Sequence, residues 1–268
     1  MILFPPCKIN LGLRILFKRE DGYHELETMM FQLPILDILE VTISSDFSFQ
    51  TSGLSISGAE NDNLCVKAFH LVKEKYGIEN VKIHLHKTIP MGGGLGGGSS
   101  DGTYVLLALN QLFKLNLSTV ELQQLAAQLG SDCPVFVLSK PQIARGRGEL
   151  LEEIPFSLYG YWLKIVNIGV FVSTQEAFSN IDFQESEQTV PEILANPIET
   201  WKTNLKNDFE TTVFKIHPEL QKVKEKLYDE GATYASMSGS GSTLYGIYKT
   251  KPNLTFGDEV MEKVIFLD

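Results

Sequence analysis

The residues with most chemistry to offer are Pro90-Met91-Gly92-Gly93-Gly94-Leu95-Gly96-Gly97-Gly98-Ser99-Ser100-Asp101-Gly102. Six glycines in seven positions let backbone N–H groups converge on an anion, because no Cβ blocks the approach. The apolar run that follows, Thr103 to Phe113, reads as a buried helix. A glycine loop running into a helix N-terminus is a phosphate site, and Ser99 and Ser100 would add hydroxyl donors. A flexible linker is the alternative, but a linker does not usually end in Ser-Ser-Asp and an apolar helix. No lysine follows the glycines, which excludes a Walker A loop. Gly92-x-Gly94-x-x-Gly97 fits the letters of a dinucleotide fingerprint, yet no acidic residue about 20 positions on ends a strand-like run. A second small-residue loop, Ser238-Gly239-Ser240-Gly241-Ser242, lies near the end of the chain. His84 and His86 alternate on one strand face, but without a third ligand in view they read as exposed strand residues.

These loops need strands and helices to carry them. Cys7 to Phe17 reads as a strand and Lys18 to Tyr23 as a charged turn. Ile38 to Ser44 alternates as a strand does, with Phe47 to Ile56 as its expected hairpin partner. Asn63 opens a helix, and Val81 to His86 alternates again and delivers the chain into the glycine loop. Ser118-x-x-Glu121 is a capping box, with Gly130 as the C-cap of its helix. Tyr161 to Val172 is strand-like, Glu176 to Asn180 starts a short helix, and 182–200 is a loose connection or short helices. Pro218 to Glu230 reads as a helix, and strands Thr233–Met237 and Thr243–Lys249 flank the second loop. Antiparallel-looking strands mixed with helices predict the α+β class. A composition shift near 150–160 suggests two domains, 1–152 and 153–268.

Composition narrows the partners. At 268 residues, 43% hydrophobic and 21% charged, the chain is an ordinary globular protein with no apolar run long enough to span a membrane. The N-terminus lacks the pattern of a signal peptide. Cys7, Cys65 and Cys133 have no paired spacing, which predicts a reducing, cytoplasmic setting without disulfides or zinc. A net charge of -10 argues against nucleic acid as a partner, so a phosphate ligand must rely on local backbone donors and a few placed lysines. A monomer or weak homodimer is expected.

Separated segments carry a resemblance to one family. Pro90 to Gly102 is similar to the phosphate loop of the GHMP kinases, and Ser236-Met237-Ser238-Gly239-Ser240-Gly241-Ser242 to their C-terminal glycine motif. Cys7-Lys8-Ile9-Asn10-Leu11 resembles an Ala-Lys-Ile-Asn-Leu segment of one branch. Asp21-Gly22-Tyr23-His24, Gly130-Ser131-Asp132-Cys133-Pro134 and Asn207-Asp208-Phe209-Glu210 resemble further motifs of that branch, which acts on a cytidine diphosphate alcohol in non-mevalonate isoprenoid precursor biosynthesis. The resemblance implies a two-domain fold, with an N-terminal ribosomal-protein-S5-like domain that binds ATP and a C-terminal ferredoxin-like α/β domain. Homoserine or mevalonate kinase would share the glycine loop but not Asp21 to His24, and a non-catalytic nucleotide binder would need neither Lys8 nor Asp132.

The resemblance implies ATP as phosphoryl donor, with Mg2+ riding on it, and a small-molecule acceptor bearing a cytidine diphosphate group. Asp132, between a helix-ending Gly130 and Pro134, becomes the candidate base, although an aspartate in a solvated turn is the commoner fate of Asp-x-Pro. Lys8 is expected beside it, and Asn10, on the same strand face, at the acceptor hydroxyl. Tyr23 and Phe178 offer aromatic faces for cytosine, His24 a hydrogen bond to it, and Thr174 a hydroxyl near the substrate; without the resemblance these read as a polar turn and a core aromatic. Asn63 is expected near adenine, or as a plain N-cap, and Lys87 at the nucleotide. Ser238, Gly239, Ser240 and Gly241 form the expected active-site glycine loop.

Overall fold

The computed structural model describes residues 1–179, 181, 188–253, 255–257 and 260–268. In chain order the first elements are β1 (Ile2–Leu3), β2 (Pro6–Lys18), β3 (His24–Leu36), β4 (Ile38–Ser44), β5 (Ser48–Gly53), α1 (Leu64–Tyr76), β6 (Asn80–Lys87), α2 (Gly97–Leu112) and α3 (Thr119–Leu129). They are followed by β7 (Gln142–Gly146), β8 (Leu150–Glu153), β9 (Trp162–Asn167), α4 (Thr174–Phe178), α5 (Val190–Leu194), α6 (Trp201–Asn204), α7 (Phe209–Ile216), α8 (Pro218–Asp229), β10 (Tyr234–Met237), β11 (Leu244–Tyr248) and β12 (Met261–Phe266). The chain forms two compact units, neither continuous in sequence: residues 1–8, 32–91 and 96–140, and residues 9–31, 92–95 and 141–268.

The first unit sets α2 against a sheet of order β1-β4-β6-β5, with α1 and α3 packed on α2 and on each other. Val81, Ile83 and Leu85 alternate inward along β6 and join Phe69, Val72, Leu106 and Leu109 in its core. The expected hairpin between Ile38–Ser44 and Phe47–Ile56 does not form. Both strands pair with β6, β4 antiparallel and β5 parallel. The reason is burial: β6 presents an apolar face that takes the interior place, while β5 has no fully buried residue and sits at the sheet edge. The connection from β5 through α1 to β6 then supplies the crossover a parallel pair requires.

Helix boundaries follow their capping chemistry. Asn63 caps α1 by accepting from Cys65 N at 2.9 Å, and Ser118 and Glu121 form a reciprocal capping box on α3. Helix α2 starts at Gly97, six residues before the apolar run that advertised it. Gly102 permits the close approach of α1, since a Cβ there would stand 2.8 Å from Leu64 Cβ.

The second unit holds the sheet β10-β11-β9-β12 and, of the sheet β2-β3-β7-β8, residues 9–18 of β2, residues 24–31 of β3 and all of β7 and β8. Leu13, Val166, Val172, Phe209, Val213 and Leu227 form part of its core. The Tyr161–Val172 strand is shorter than expected, Trp162–Asn167, and the C-terminal residues add an antiparallel strand beside it. Helix α4 covers most of the short helix expected at Glu176 to Asn180; Asn180 and residues 182–187 of the expected connection lie outside the described residues.

Candidate active site

In the first unit the glycine loop ends at an open helix terminus. Gly96 is the N-cap of α2 at φ +69°, and no side chain caps the helix. The first helical hydrogen bond runs from Ser100 N to Gly96 O, which leaves the N–H groups of Gly97, Gly98 and Ser99 outside the α-helical ladder. Their partial positive charge adds to the helix dipole and favours an anion. Next to them lies a cavity of about 290 Å3 lined by Phe49, Ile56, Leu64, Met91, Gly98 and Asn63, among others. Asn63 is the N-cap of α1 and also lines this cavity. Met91 is half-exposed, Pro90 partly buried and Leu95 enclosed. Ser100 turns its hydroxyl inward, where it is buried without a hydrogen-bond partner.

Lys8 and Asp132 meet in this unit at 3.3 Å. The lysine is 2% exposed and the aspartate 38%, so the carboxylate keeps one side open to solvent or a ligand. Asp132 precedes a short 3-10 turn, Cys133–Val137, with Pro134 as its second residue. That turn is fixed from two sides. Thr103 Oγ1 on α2 donates to Cys133 O at 2.9 Å, and Gln32 Nε2 donates to Val135 O and Leu138 O at 2.9 and 2.7 Å. Gly96 lies against the Lys8 stem: a Cβ on it would stand 3.1 Å from Lys8 Cε and 2.9 Å from Phe136 Cζ. The helix start, the cation and the carboxylate are thus one packed group. Lys87 is placed deeper, fully buried between Asp37 and Asp101. Burial pushes the Asp101 carboxyl up to about 7 despite its lysine partner.

In the second unit Gly94 touches the Ser238 turn so closely that a Cβ on it would stand 2.0 Å from Ser238 O. Ser238 Oγ donates to Gly94 O at 2.8 Å, and Asn10 N donates to Ser238 Oγ at 3.2 Å. Asn10 Nδ2 donates to Thr28 Oγ1 at 3.0 Å, and its carbonyl accepts from Tyr245 OH at 2.7 Å. Thr243 N donates to Gly93 O at 3.1 Å. Gly239 and Gly241 both adopt positive φ, while Ser240 is the partly exposed residue between them.

The aromatic groups do not pair as a simple sandwich. The His24 ring stacks on Phe178, with centroids 4.6 Å apart and planes 17° apart, and Phe209 meets Phe178 edge-on at 4.8 Å. Tyr23 is 54% exposed, and the Arg147 guanidinium lies 4.6 Å from its ring centroid. Burial lowers the His24 pKa, so the neutral imidazole is favoured. Thr174 and Phe178 stand at the two ends of α4, four positions apart and therefore on one face.

Several residues that shape these groups carried no role in the sequence reading. Asp37 has no motif around it. Asn207 and Glu210 belong to a recognised segment whose purpose its letters do not tell. Asn207 Nδ2 donates to Met237 O and Gly239 O at 2.7 and 2.8 Å, and Glu210 Oε1 accepts from Met237 N at 2.8 Å. Together they hold both sides of the strand that leads into the second glycine loop.

The uncapped, glycine-led helix start, the adjoining cavity and the lysine-held aspartate all lie in the first unit. Residues 63–140 match the GHMP kinases N terminal domain and residues 189–255 the GHMP kinases C terminal domain. The chain belongs to the GHMP kinase family and is an ATP-dependent small-molecule kinase. It is 46% identical to a 4-diphosphocytidyl-2-C-methyl-D-erythritol kinase of Bacteroides thetaiotaomicron, over 97% of each chain. A protein of the same name in Cytophaga hutchinsonii is 43% identical over 94% of each chain. The fold also superposes on a crystal structure of 4-(cytidine 5'-diphospho)-2C-methyl-D-erythritol kinase with a TM-score of 0.79 and 34% identity, covering 92% of this chain and 90% of that one. No helix among the described residues is long and apolar enough to cross a membrane.

Proposed function

We propose that this chain transfers the γ-phosphoryl group of ATP to the 2-hydroxyl of 4-diphosphocytidyl-2-C-methyl-D-erythritol, in non-mevalonate isoprenoid precursor biosynthesis. The observation that carries this reading is the Lys8–Asp132 pair at 3.3 Å, in the unit that also holds the uncapped start of α2. The name borne by relatives of 43–46% identity supports the choice of acceptor. Asp132 takes the hydroxyl proton, the freed oxygen bonds to the γ-phosphorus, and the bond from that phosphorus to the bridging oxygen breaks, releasing ADP. Lys8 orients the carboxylate and neutralises charge on the equatorial phosphoryl oxygens. The N–H groups of Gly97, Gly98 and Ser99 bind phosphate oxygens, and the cavity beside Asn63 and Met91 receives the nucleoside.

Among the described residues no three His, Cys, Asp or Glu side chains cluster as a metal site. Magnesium rides on ATP as part of the substrate, as is usual in phosphoryl transfer. Tyr23, His24 and Phe178 recognise the cytosine, with Asn10 and Thr174 as polar contacts to the rest of the acceptor. Three free, buried cysteines fit a reducing, cytoplasmic setting; the protein acts there as a monomer or weak homodimer. A side-by-side assay with ATP tests the reading: the cytidine diphosphate alcohol is turned over, while homoserine and mevalonate are not. Preference for either of the latter overturns it.

A further inference from the structure

The transfer chemistry makes no use of the charges buried beneath the phosphate loop. Asp37 sits at the bend between β3 and β4 and is fully enclosed. Its Oδ1 accepts from Thr88 N at 2.6 Å and Ile89 N at 2.9 Å, and its Oδ2 accepts from Lys87 Nζ at 2.5 Å. Lys87, the last residue of β6, also donates to Asp101 Oδ2 at 2.7 Å. Asp101 stands in the second turn of α2. One carboxylate therefore grips the chain just before the glycine loop and, through a single ammonium, grips the helix just after it. The bridged residues, Lys87 and Asp101, are 14 positions apart.

The geometry of the helix start depends on this bridge. Gly97, the first residue of α2, rests on it directly: a Cβ there would stand 2.9 Å from Lys87 Nζ and 2.9 Å from Ile89 Cγ2. The glycines themselves cannot hold a shape, because each loses more backbone freedom on ordering than any other residue. An ordered anion cradle therefore needs its ends fixed from outside. A buried ion pair is suited to this, since removing one partner leaves an uncompensated charge in the interior. Lys87 has no exposed side-chain surface and is bound to two carboxylates, so it supports the loop from below.

We infer that Asp37 is a positioning residue for the nucleotide phosphates, acting through Lys87 and Asp101 to hold the first turns of α2 against the end of β6. The inference rests on the reading of this helix terminus as the ATP phosphate site. Its signature is selective. Loss of the clamp weakens ligands that carry a phosphate chain and spares those held only by the nucleoside cavity.

Asp37→Asn is the primary test, because it keeps an acceptor for Thr88 and Ile89 but faces Lys87 without charge. Calorimetric titration compares a non-hydrolysable ATP analogue, ADP and adenosine, with thermal melting as a check on folding. The analogue and ADP are expected to bind about 10-fold or more weakly, adenosine unchanged, and the KM for ATP to rise while that for the cytidine substrate stays constant. Adding Lys87→Gln to Asp37→Asn should cost little more, as expected for residues acting as one unit. If Asp37→Asn does not fold, Asp101→Asn breaks the second half of the bridge; because Asp101 also lines the nucleoside cavity, the expected result is a loss for the analogue and ADP well in excess of any loss for adenosine. A folded Asp37→Asn or Asp101→Asn that binds the analogue as the wild type does overturns the inference, as does an equal loss for adenosine. Wild-type protein that binds neither analogue nor ADP overturns the ATP reading, and this inference with it.

Discussion

Replacing Gly96 by alanine separates the demands of the fold from those of the chemistry. Gly96 holds φ +69°, a region that costs a residue with a Cβ about 1–2 kcal/mol. The new methyl would also stand 2.9 Å from Phe136 Cζ, and Phe136 is 1% exposed in a packed interior. Overpacking of that kind costs about 1–3 kcal/mol. The two effects sum to about 2–5 kcal/mol, or a fall in Tm of roughly 5–15 °C for a chain of this size. The methyl also presses on the Lys8 stem at 3.1–3.2 Å, and the Lys8–Asp132 contact is only 3.3 Å. A displaced ammonium should lower kcat by about 10-fold or more, since charge stabilisation in the transition state depends on fixed geometry. Gly98→Ala is the matched control. Its methyl meets nothing closer than Met91 Cε at 3.8 Å, and its φ is not in the left-handed region. It should raise stability by about 0.5–1 kcal/mol through helix propensity. Because Gly98 lines the cavity, that variant should also raise the KM for ATP. Differential scanning calorimetry and steady-state kinetics on both variants decide the matter. Gly96→Ala with wild-type Tm and kcat would refute the reasoning, and so would two variants that lose stability equally.

Three further outcomes follow from the same geometry. Asp132→Asn should retain both substrates but lower single-turnover rates by about 10² or more, the scale of general-base loss, and a near-native rate removes Asp132 from that role. Tyr23→Ala should weaken the cytidine substrate by about 1–3 kcal/mol, the worth of one base–aromatic stack, with the KM for ATP nearly unchanged; a rise in the ATP value alone would mean the pockets are assigned the wrong way round. Asp101, with its carboxyl raised to about 7 from 3.8, binds a proton more readily folded than unfolded. Its contribution to stability therefore falls as pH rises from about 4 to 7 and is level above that window. Urea unfolding at a series of pH values should show Asp101→Asn gaining on the wild type across that window, and parallel curves would contradict the assignment.

The sequence by itself determined the local grammar of this protein and the kind of chemistry it carries. Asn63, Ser118 and Glu121 act on backbone N–H groups two or three residues away, so their caps were readable without any fold. The glycine run and the following apolar segment likewise announced a helix start with bare backbone, because the absence of a Cβ is a property of the residues themselves. The matched motifs extended this to a kinase and brought Lys8 and Asp132 into one hypothesis. Tertiary structure alone decided what lies between and beneath. The inward alternation of β6 was visible, but its place between β4 and β5 depends on which strand gains most by being covered on both edges. Asp37 and Lys87 are 50 positions apart, and nothing local to either says that they meet. Such contacts arise when a buried charge must find a partner anywhere along the folded chain. The same holds for His24 on Phe178 and for Asn207 beneath the second glycine loop. Spacing reports a residue's neighbours along one helix or strand; only the packing of separate elements selects its partner across them.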